Sequence, residues 1–385
     1  MDLEAFRWLI TDDGQQLLEQ ASELTGDELA RQRVLRRHAS ADRVAAALTQ
    51  IVLRDRARAK FGALASRMWF TPEGLEQATR LSVARHRAGR LQAASTATLV
   101  DLGCGIGGDL VAAAEAGITA AGVDLDPVRV AVAEANLAAL GLPGAVMVAD
   151  ATTVDPSPFD VAFADPARRT GHGRSFSPEG WTPPWSFVER LLTRDSCVKV
   201  APGIPHDLVP EGVEAEWVSD RGEVKEAALW SGRLASTRRR ATVIGRGGLA
   251  TLTEEDDPGA GVRPIGDYLY EPDGAVIRAG LVTAVAAGVD GGLLDTHIAY
   301  VTADTAYRTP FARGYRVLEE LPYREKQLKA ALRERRIGVL TIKKRGVSVR
   351  PEELRQRLGL RGEATATLVL TRVDGHGTAL LVEPF

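Results

Sequence analysis

Residues 99–109 read LVDLGCGIGGD and concentrate the groups able to do chemistry. Asp101 stands two residues before Gly103, and Gly105, Gly107 and Gly108 follow closely. Glycine tolerates positive φ and lets a ligand approach the backbone. The helix-forming run that begins at Asp109 offers free N–H groups at its start. Gly103, Gly105 and Gly108 satisfy the G-x-G-x-x-G spacing of dinucleotide folds, whereas the G-K-[ST] of a P-loop is missing. Asp101 separates the readings. A carboxylate there suits a cationic ligand, such as an amino acid's ammonium, and would repel a pyrophosphate. A second carboxylate, Asp124, lies roughly twenty residues further on, where acidic side chains grip ribose hydroxyls in adenosine-binding doubly wound folds.

The stretch D-L-G-C-G-I-G-G resembles the first motif of class I S-adenosylmethionine-dependent methyltransferases, [D/E]-x-G-x-G-x-G. That resemblance implies that Asp101, Gly103, Gly105 and Gly107 hold S-adenosylmethionine and that Asp124 takes both ribose hydroxyls. It also places Asp150 where an acidic residue reads the adenine amino group. Asp165-Pro166-Ala167-Arg168 occupies the slot in which methyltransferases of exocyclic amines carry [D/N]-P-P-[F/Y/W]. A conjugated amine is a poor nucleophile because its lone pair is delocalised. The Asp carboxylate and the first Pro carbonyl would hold its N–H groups and favour pyramidalisation, and the rigid proline fixes that carbonyl. Asp165 and Pro166 are thereby the catalytic candidates. Methyl transfer from a sulfonium needs in-line approach more than acid–base help, and orientation can supply up to roughly 7–11 kcal/mol.

The chain departs from that pattern at Ala167 and Arg168, so the motif lacks its stacking aromatic. Three substitutes are open. Arg168 could stack by its guanidinium plane, Arg168 and Arg169 could hold a phosphate, or an aromatic could come from Phe176, Trp181 or Trp185 in the following loop. The variant also leaves Asp165 open as a general base towards a ring atom or hydroxyl. D-P-A-R-R is similar to the motif of a bacterial methyltransferase group with a C-terminal THUMP-like domain.

The elements that must position these groups follow an alternating pattern. Apolar strand-like runs cover residues 97–102, 119–125, 145–149, 159–164 and 196–201. Further strand candidates cover 214–218, 227–230 and 241–244, the last two expected to form the closing antiparallel hairpin. A helix over 127–140 has Asp126 as N-cap and Pro127 at its first position. The fold expected is α/β, a Rossmann-like, mostly parallel methyltransferase sheet over 91–250. An N-terminal helical region over 1–90 precedes it, read as helices packing on a neighbour or as a substrate-docking module. Within it, Met68-Trp69-Phe70-Thr71-Pro72-Glu73 breaks the helical pattern, with Thr71 suited to an N-cap. A similar aromatic–Thr–Pro–Glu stretch lies near the cofactor in trimethylguanosine synthases, which makes Phe70 and Thr71 lid candidates and Thr71 a cofactor contact.

A linker is expected near 253–261, a connecting subdomain over 262–312 and a small α+β domain of βαβαββ order over 313–385. The resemblance to a THUMP-like domain covers roughly its last seventy residues and implies RNA as partner. Residues 324–361 carry thirteen Lys or Arg against four Glu, whereas the whole chain has a net charge of −3. Such a patch suits phosphate backbones, and Lys343-Lys344-Arg345-Gly346 reads as an exposed turn aimed at an anion.

Composition excludes several classes. At 45% hydrophobic and 26% charged residues the chain is an ordinary globular sequence. Two cysteines, Cys104 and Cys197, make neither a disulfide framework nor a metal site and read as packed thiols. No run suits a membrane span or a signal peptide, so a cytoplasmic protein is expected; the sequence does not indicate oligomeric state, and a monomer is favoured. The functional readings are an RNA methyltransferase, favoured at a base nitrogen; a small-molecule or protein methyltransferase; and a non-catalytic RNA-binding relative.

Overall fold

The computed structural model describes residues 2–25, 28–168 and 181–385. The chain divides into two compact units, Met1–Glu214 with Ala228–Ser236, and Ala215–Ala227 with Thr237–Phe385.

The first unit opens with helices α1 (Leu3–Leu9), α2 (Asp12–Glu23), α3 (Glu28–Leu35), α4 (Ala41–Phe61), α5 (Pro72–Gln77) and α6 (Leu81–Ala93). An alternating stretch follows: β1 (Thr98–Leu102), α7 (Gly108–Glu115), β2 (Thr119–Asp124), α8 (Pro127–Leu140), β3 (Ala145–Val148) and β4 (Val161–Ala164). Then come β5 (Ala167–Arg168), β6 (Trp181–Thr182), α9 (Trp185–Leu191) and β7 (Ser196–Val200). In the sheet β1 lies between β2 and β4, with β3 outside β2 and β7 outside β4, all parallel. All four residues of β4 are buried, as a strand covered on both faces requires. The mostly parallel α/β sheet expected from the alternation is therefore present.

The N-terminal helices form one apolar core. Phe6, Leu9, Leu17, Val44, Leu53, Phe61 and Phe70 pack together with Ile106 of the glycine turn and Val132 of α8. Two buried amides stitch the extended 68–70 segment into that core. Gln50 on α4 bonds the N–H and the carbonyl of Phe70. Asn136 on α8 accepts from Trp69 N at 2.6 Å and donates to Trp69 O at 3.1 Å and Ile106 O at 2.8 Å. Backbone groups that no helix or strand satisfies are thus paired inside the core.

The second unit takes in β8 (Glu214–Asp220) from its second residue and β9 (Glu223–Ser231) as far as Ala227, and these two strands are neighbours joined by Arg221-Gly222. Both turn residues have positive φ, at 54° and 80°, the requirement of a tight hairpin turn. The expected hairpin between 227–230 and 241–244 is not formed. β10 (Arg239–Gly245) runs parallel to β8 and antiparallel to β11 (Gly248–Thr253). The tight turn claims β9 for β8, and the longer connection through Gly232–Leu234 carries the chain onward instead.

The rest of this unit holds β12 (Tyr268–Pro272), α10 (Gly274–Ala279), α11 (Val282–Gly288), β13 (Gly292–Asp295) and β14 (Ile298–Ala303). β15 (Ala312–Leu321), α12 (Glu325–Glu334), β16 (Ile337–Lys344), α13 (Pro351–Leu358), β17 (Ala364–Val373) and β18 (His376–Pro384) complete it in the expected βαβαββ order. Gly280, left-handed, ends α10 and separates it from α11. β12 to β18 share one sheet in the order β13-β14-β12-β15-β18-β17-β16. Leu328, Leu332, Leu354 and Leu358 of α12 and α13 pack on Leu340, Ile342, Leu368 and Leu370.

Candidate active site

The parallel strands bring the predicted carboxylates to one edge of the first unit's sheet, at the strand ends where doubly wound folds bind ligands. Asp101 closes on the sheet between Gly122 and Phe163. Its side chain is 1% exposed, and its Oδ1 has no hydrogen-bond partner among the described residues. Burial, reinforced by Asp109 and Asp165, pushes its carboxyl well above the usual range, while Arg87 opposes the shift. An orphaned buried acceptor of this kind fits a cationic ligand group and is costly without one.

The glycine turn is tied to β2. Gly103 N and Cys104 N donate to Val123 O at 3.0 and 2.9 Å, and Gly105 N donates to Asp124 Oδ2 at 3.0 Å. Gly103, Gly105 and Gly107 all have positive φ. Gly107 also lies so close to α8 that a Cβ would stand 3.1 Å from Ala133 Cβ. Gly122, which sequence reasoning passed over, is equally required. A Cβ there would stand 2.7 Å from Leu110 Cδ1 and 2.8 Å from Cys104 Cβ. Asp124 Oδ1 accepts from Asp126 N at 2.9 Å, so each of its oxygens already takes one backbone N–H. The second lone pair on each oxygen remains for a hydroxyl donor. Leu125 and Val148, 65% and 52% exposed, flank Asp124 with uncovered apolar surface.

Other expected contacts are placed differently. Asp150 turns back on its own loop and accepts from Thr152 N at 2.8 Å and Thr152 Oγ1 at 2.7 Å. These bonds lower its pKa. Thr71 caps α5 by accepting from Gly74 N at 3.0 Å, and Gly74 rests against Ile106 of the glycine turn. Phe70 is fully buried against Phe61, with ring centroids 5.5 Å apart. The lid reading of Phe70 is thereby corrected, because it is held within the core. Cys104 and Cys197 are buried, and burial pushes the Cys104 thiol far up, so it is a packed thiol.

Asp165, the catalytic candidate, follows β4 and pairs with a residue that sequence reasoning missed. Lys199 Nζ donates to Asp165 Oδ2 at 2.5 Å and to Thr79 Oγ1 at 3.3 Å. Its signal was a lysine inside the apolar run SCVKVA. Pro166 is buried. The backbone of β5 pairs with β6, setting Arg168 opposite Trp181. Trp181 and Trp185, both half-buried, meet edge to face at 5.3 Å. Arg169 and Phe176 lie outside the described residues.

In the second unit Lys343 and Lys344 are strand residues of β16, a correction to the exposed turn expected for them. Strand alternation sends their side chains to opposite faces. Lys343 Nζ bonds Glu271 Oε2 at 2.5 Å and sits 5.6 Å from the Tyr315 ring centroid, so it is committed internally. Lys344 is exposed. The basic surplus is partly cancelled, since Arg335 pairs with Glu319, Arg350 with Glu353 and Arg357 with Glu325. Arg324, Lys326, Arg333, Arg336, Lys344 and Arg361 are exposed and have no acidic partner among the described residues. No helix among the described residues is long and apolar enough to cross a membrane, and no cluster of three or more His, Cys, Asp or Glu there could hold a metal ion.

The buried acidic strand end, the glycine turn and the second carboxylate define a class I S-adenosylmethionine-dependent methyltransferase, with S-adenosylmethionine as cofactor. Residues 99–168 match the methyltransferase domain family and residues 312–384 the THUMP domain-like family. Residues 2–57 match a domain family of unknown function, DUF8688. The chain is 40% identical over 350 residues to the uncharacterized S-adenosylmethionine-dependent methyltransferase Rv3037c of Mycobacterium tuberculosis H37Rv, covering 86% of this chain and 95% of that one. The same identity and coverage hold for MT3122 of the CDC 1551 strain. The chain belongs to this family of methyltransferases with a C-terminal THUMP-like domain. Its fold is shared by a crystal structure of a methyltransferase candidate from Porphyromonas gingivalis W83, at a TM-score of 0.73, 22% identity and coverage of 99% and 98% of the two chains.

Proposed function

We propose that the protein methylates RNA, at a base nitrogen, using S-adenosylmethionine. The observation that carries the RNA assignment is the surplus of exposed Lys and Arg residues without acidic partners in the THUMP-like region, Arg324, Lys326, Arg333, Arg336, Lys344 and Arg361 among them. Cations left without acidic partners are the footprint expected of a phosphate-binding surface.

In this reading Asp101 takes the cofactor's ammonium on its orphaned oxygen. Gly103, Gly105 and Gly107 let the ligand lie against the backbone. Asp124 receives the ribose hydroxyls on its remaining lone pairs, and Leu125 and Val148 offer apolar surface to the flat adenine. Asp150, already engaged with Thr152, borders that end, while Thr71 supports the glycine turn through Gly74. The cofactor supplies a methyl group on a sulfonium, so the protein's task is chiefly to orient the nucleophile. Asp165 and the carbonyl of Pro166 accept its N–H groups. Trp181, aligned with Arg168 by the β5–β6 pairing, provides the aromatic surface that the motif lacks, with Trp185 packed against it. Arg168 and Arg169 hold a phosphate, and Lys344 contributes a phosphate contact from the second unit.

Titration of transfer RNA against the labelled full chain at several salt concentrations tests this. Binding should weaken linearly in log–log form, by roughly 0.7 per phosphate contacted on single strands. Absence of RNA binding at low salt refutes the RNA reading and favours a small-molecule or protein substrate.

A further inference from the structure

We infer that Lys199 is a positioning residue that holds Asp165 for methyl transfer. The inference rests on Asp165 receiving the substrate's hydrogen, as proposed above. The last paired residues of β4 and β7 are Ala164 and Val198. The parallel register therefore sets the next residues, Asp165 and Lys199, side by side at the strand ends. Lys199 has only 18% of its side chain exposed, against 33% for Asp165. A largely buried ammonium is weak as a stabilising device, because desolvation offsets most of its attraction. Its place at the reaction centre needs another account.

That account lies in the two oxygens of Asp165. Oδ2 is bound by Lys199, which Thr79 also contacts. Oδ1 has no hydrogen bond given to it among the described residues. With one oxygen fixed, the carboxylate plane is fixed and Oδ1 is presented to the nucleophile. Lys199 also balances charge. Asp109, Asp124 and Asp165 each lie close enough to act on Asp101, and Arg87 is held by Asp109. During transfer the substrate nitrogen gives its electron pair to the methyl carbon. The carbon–sulfur pair departs with sulfur, and the N–H proton passes through Asp165 Oδ1 to solvent. An unpinned Asp165 rotates freely and no longer presents Oδ1 to the nucleophile.

The test is labelled methyl transfer from S-adenosylmethionine to total RNA of cells lacking the protein, with full-length wild type, Asp165→Asn, Lys199→Met, Lys199→Arg and the Asp165→Asn/Lys199→Met double variant. Calorimetric cofactor binding and thermal melting accompany each. Lys199→Met should lower kcat about 30-fold, the scale of a lost charged hydrogen bond, while KM for RNA and Kd for cofactor change less than about threefold. Lys199→Arg should recover part of the loss. In the Asp165→Asn background, Lys199→Met should add no further loss, the signature of two groups acting as one. Wild-type kcat in Lys199→Met, or losses that multiply independently, overturn the inference; if Lys199→Met does not fold, Lys199→Gln takes its place. Full activity of Asp165→Asn overturns the reading of Asp165 itself, and no transfer by wild type overturns the RNA reading.

Discussion

Asn136→Ala should destabilise the first unit by about 3–5 kcal/mol. The side chain is fully buried and satisfies three backbone groups: Trp69 N–H, Trp69 carbonyl and Ile106 carbonyl. Truncation strands all three away from water. Each unsatisfied buried group costs about 1–3 kcal/mol, and relaxation of the 68–70 segment recovers some of the sum. Because domains are stable by only about 5–15 kcal/mol in total, the loss is a large fraction. It also frees Ile106, so cofactor affinity should fall along with stability. Urea unfolding followed by Trp fluorescence reads the first quantity, since Trp69 lies in the affected segment, and calorimetry reads the second. A change under about 1 kcal/mol, with unchanged cofactor affinity, would refute the claim that this amide ties the segment to the turn.

Three further outcomes follow from the same physics. Asp101→Asn should raise the cofactor Kd at least about tenfold, or 1.4 kcal/mol, yet stabilise the cofactor-free protein near neutral pH. A carboxyl whose folded pKa is raised lends stability that is complete below its unfolded value and lost as pH rises towards the folded one; a pH series of melting curves should show the wild type falling and the variant flatter. Gly122→Ala should cost about 1–3 kcal/mol by overpacking against Leu110 and Cys104, measured by chemical denaturation, and a neutral result would refute the close packing of turn on strand. Lys343→Met should lower the melting temperature by breaking the Glu271 pair, whereas Lys344→Glu should leave melting unchanged and weaken RNA binding. The reverse pattern would contradict their assignment to opposite faces.

Much of the candidate site is legible because it is local in sequence. Asp101, the glycines, Asp124 and the cap at Thr71 follow from residue types at fixed spacing. What was not legible depends on register and burial. Lys199 meets Asp165 only because β4 and β7 pair in parallel, and the role of Gly122 depends on which face of β2 carries the turn. Lys343 looked free in a basic run because its partner, Glu271, is seventy-two residues away in sequence. The closing hairpin was misassigned for a related reason. Strand propensity marked residues 227–230 and 241–244 correctly, but Arg221-Gly222 decided which neighbours could join in a tight turn. Buried Gln50 and Asn136 carry no sequence signal beyond polar residues on apolar helix faces, yet they hold the segment that supports the glycine turn.

The central claim is that Asp165 directs a methyl group from S-adenosylmethionine onto an RNA base nitrogen. The most direct measurement is incubation of wild type or Asp165→Ala with labelled S-adenosylmethionine and RNA from cells lacking the protein, followed by nucleoside analysis. The account predicts one labelled base-methylated nucleoside with wild type and none with Asp165→Ala, whose cofactor affinity stays within about tenfold, or 1.4 kcal/mol. Label on ribose, no label in RNA, or an undiminished signal from Asp165→Ala would contradict it.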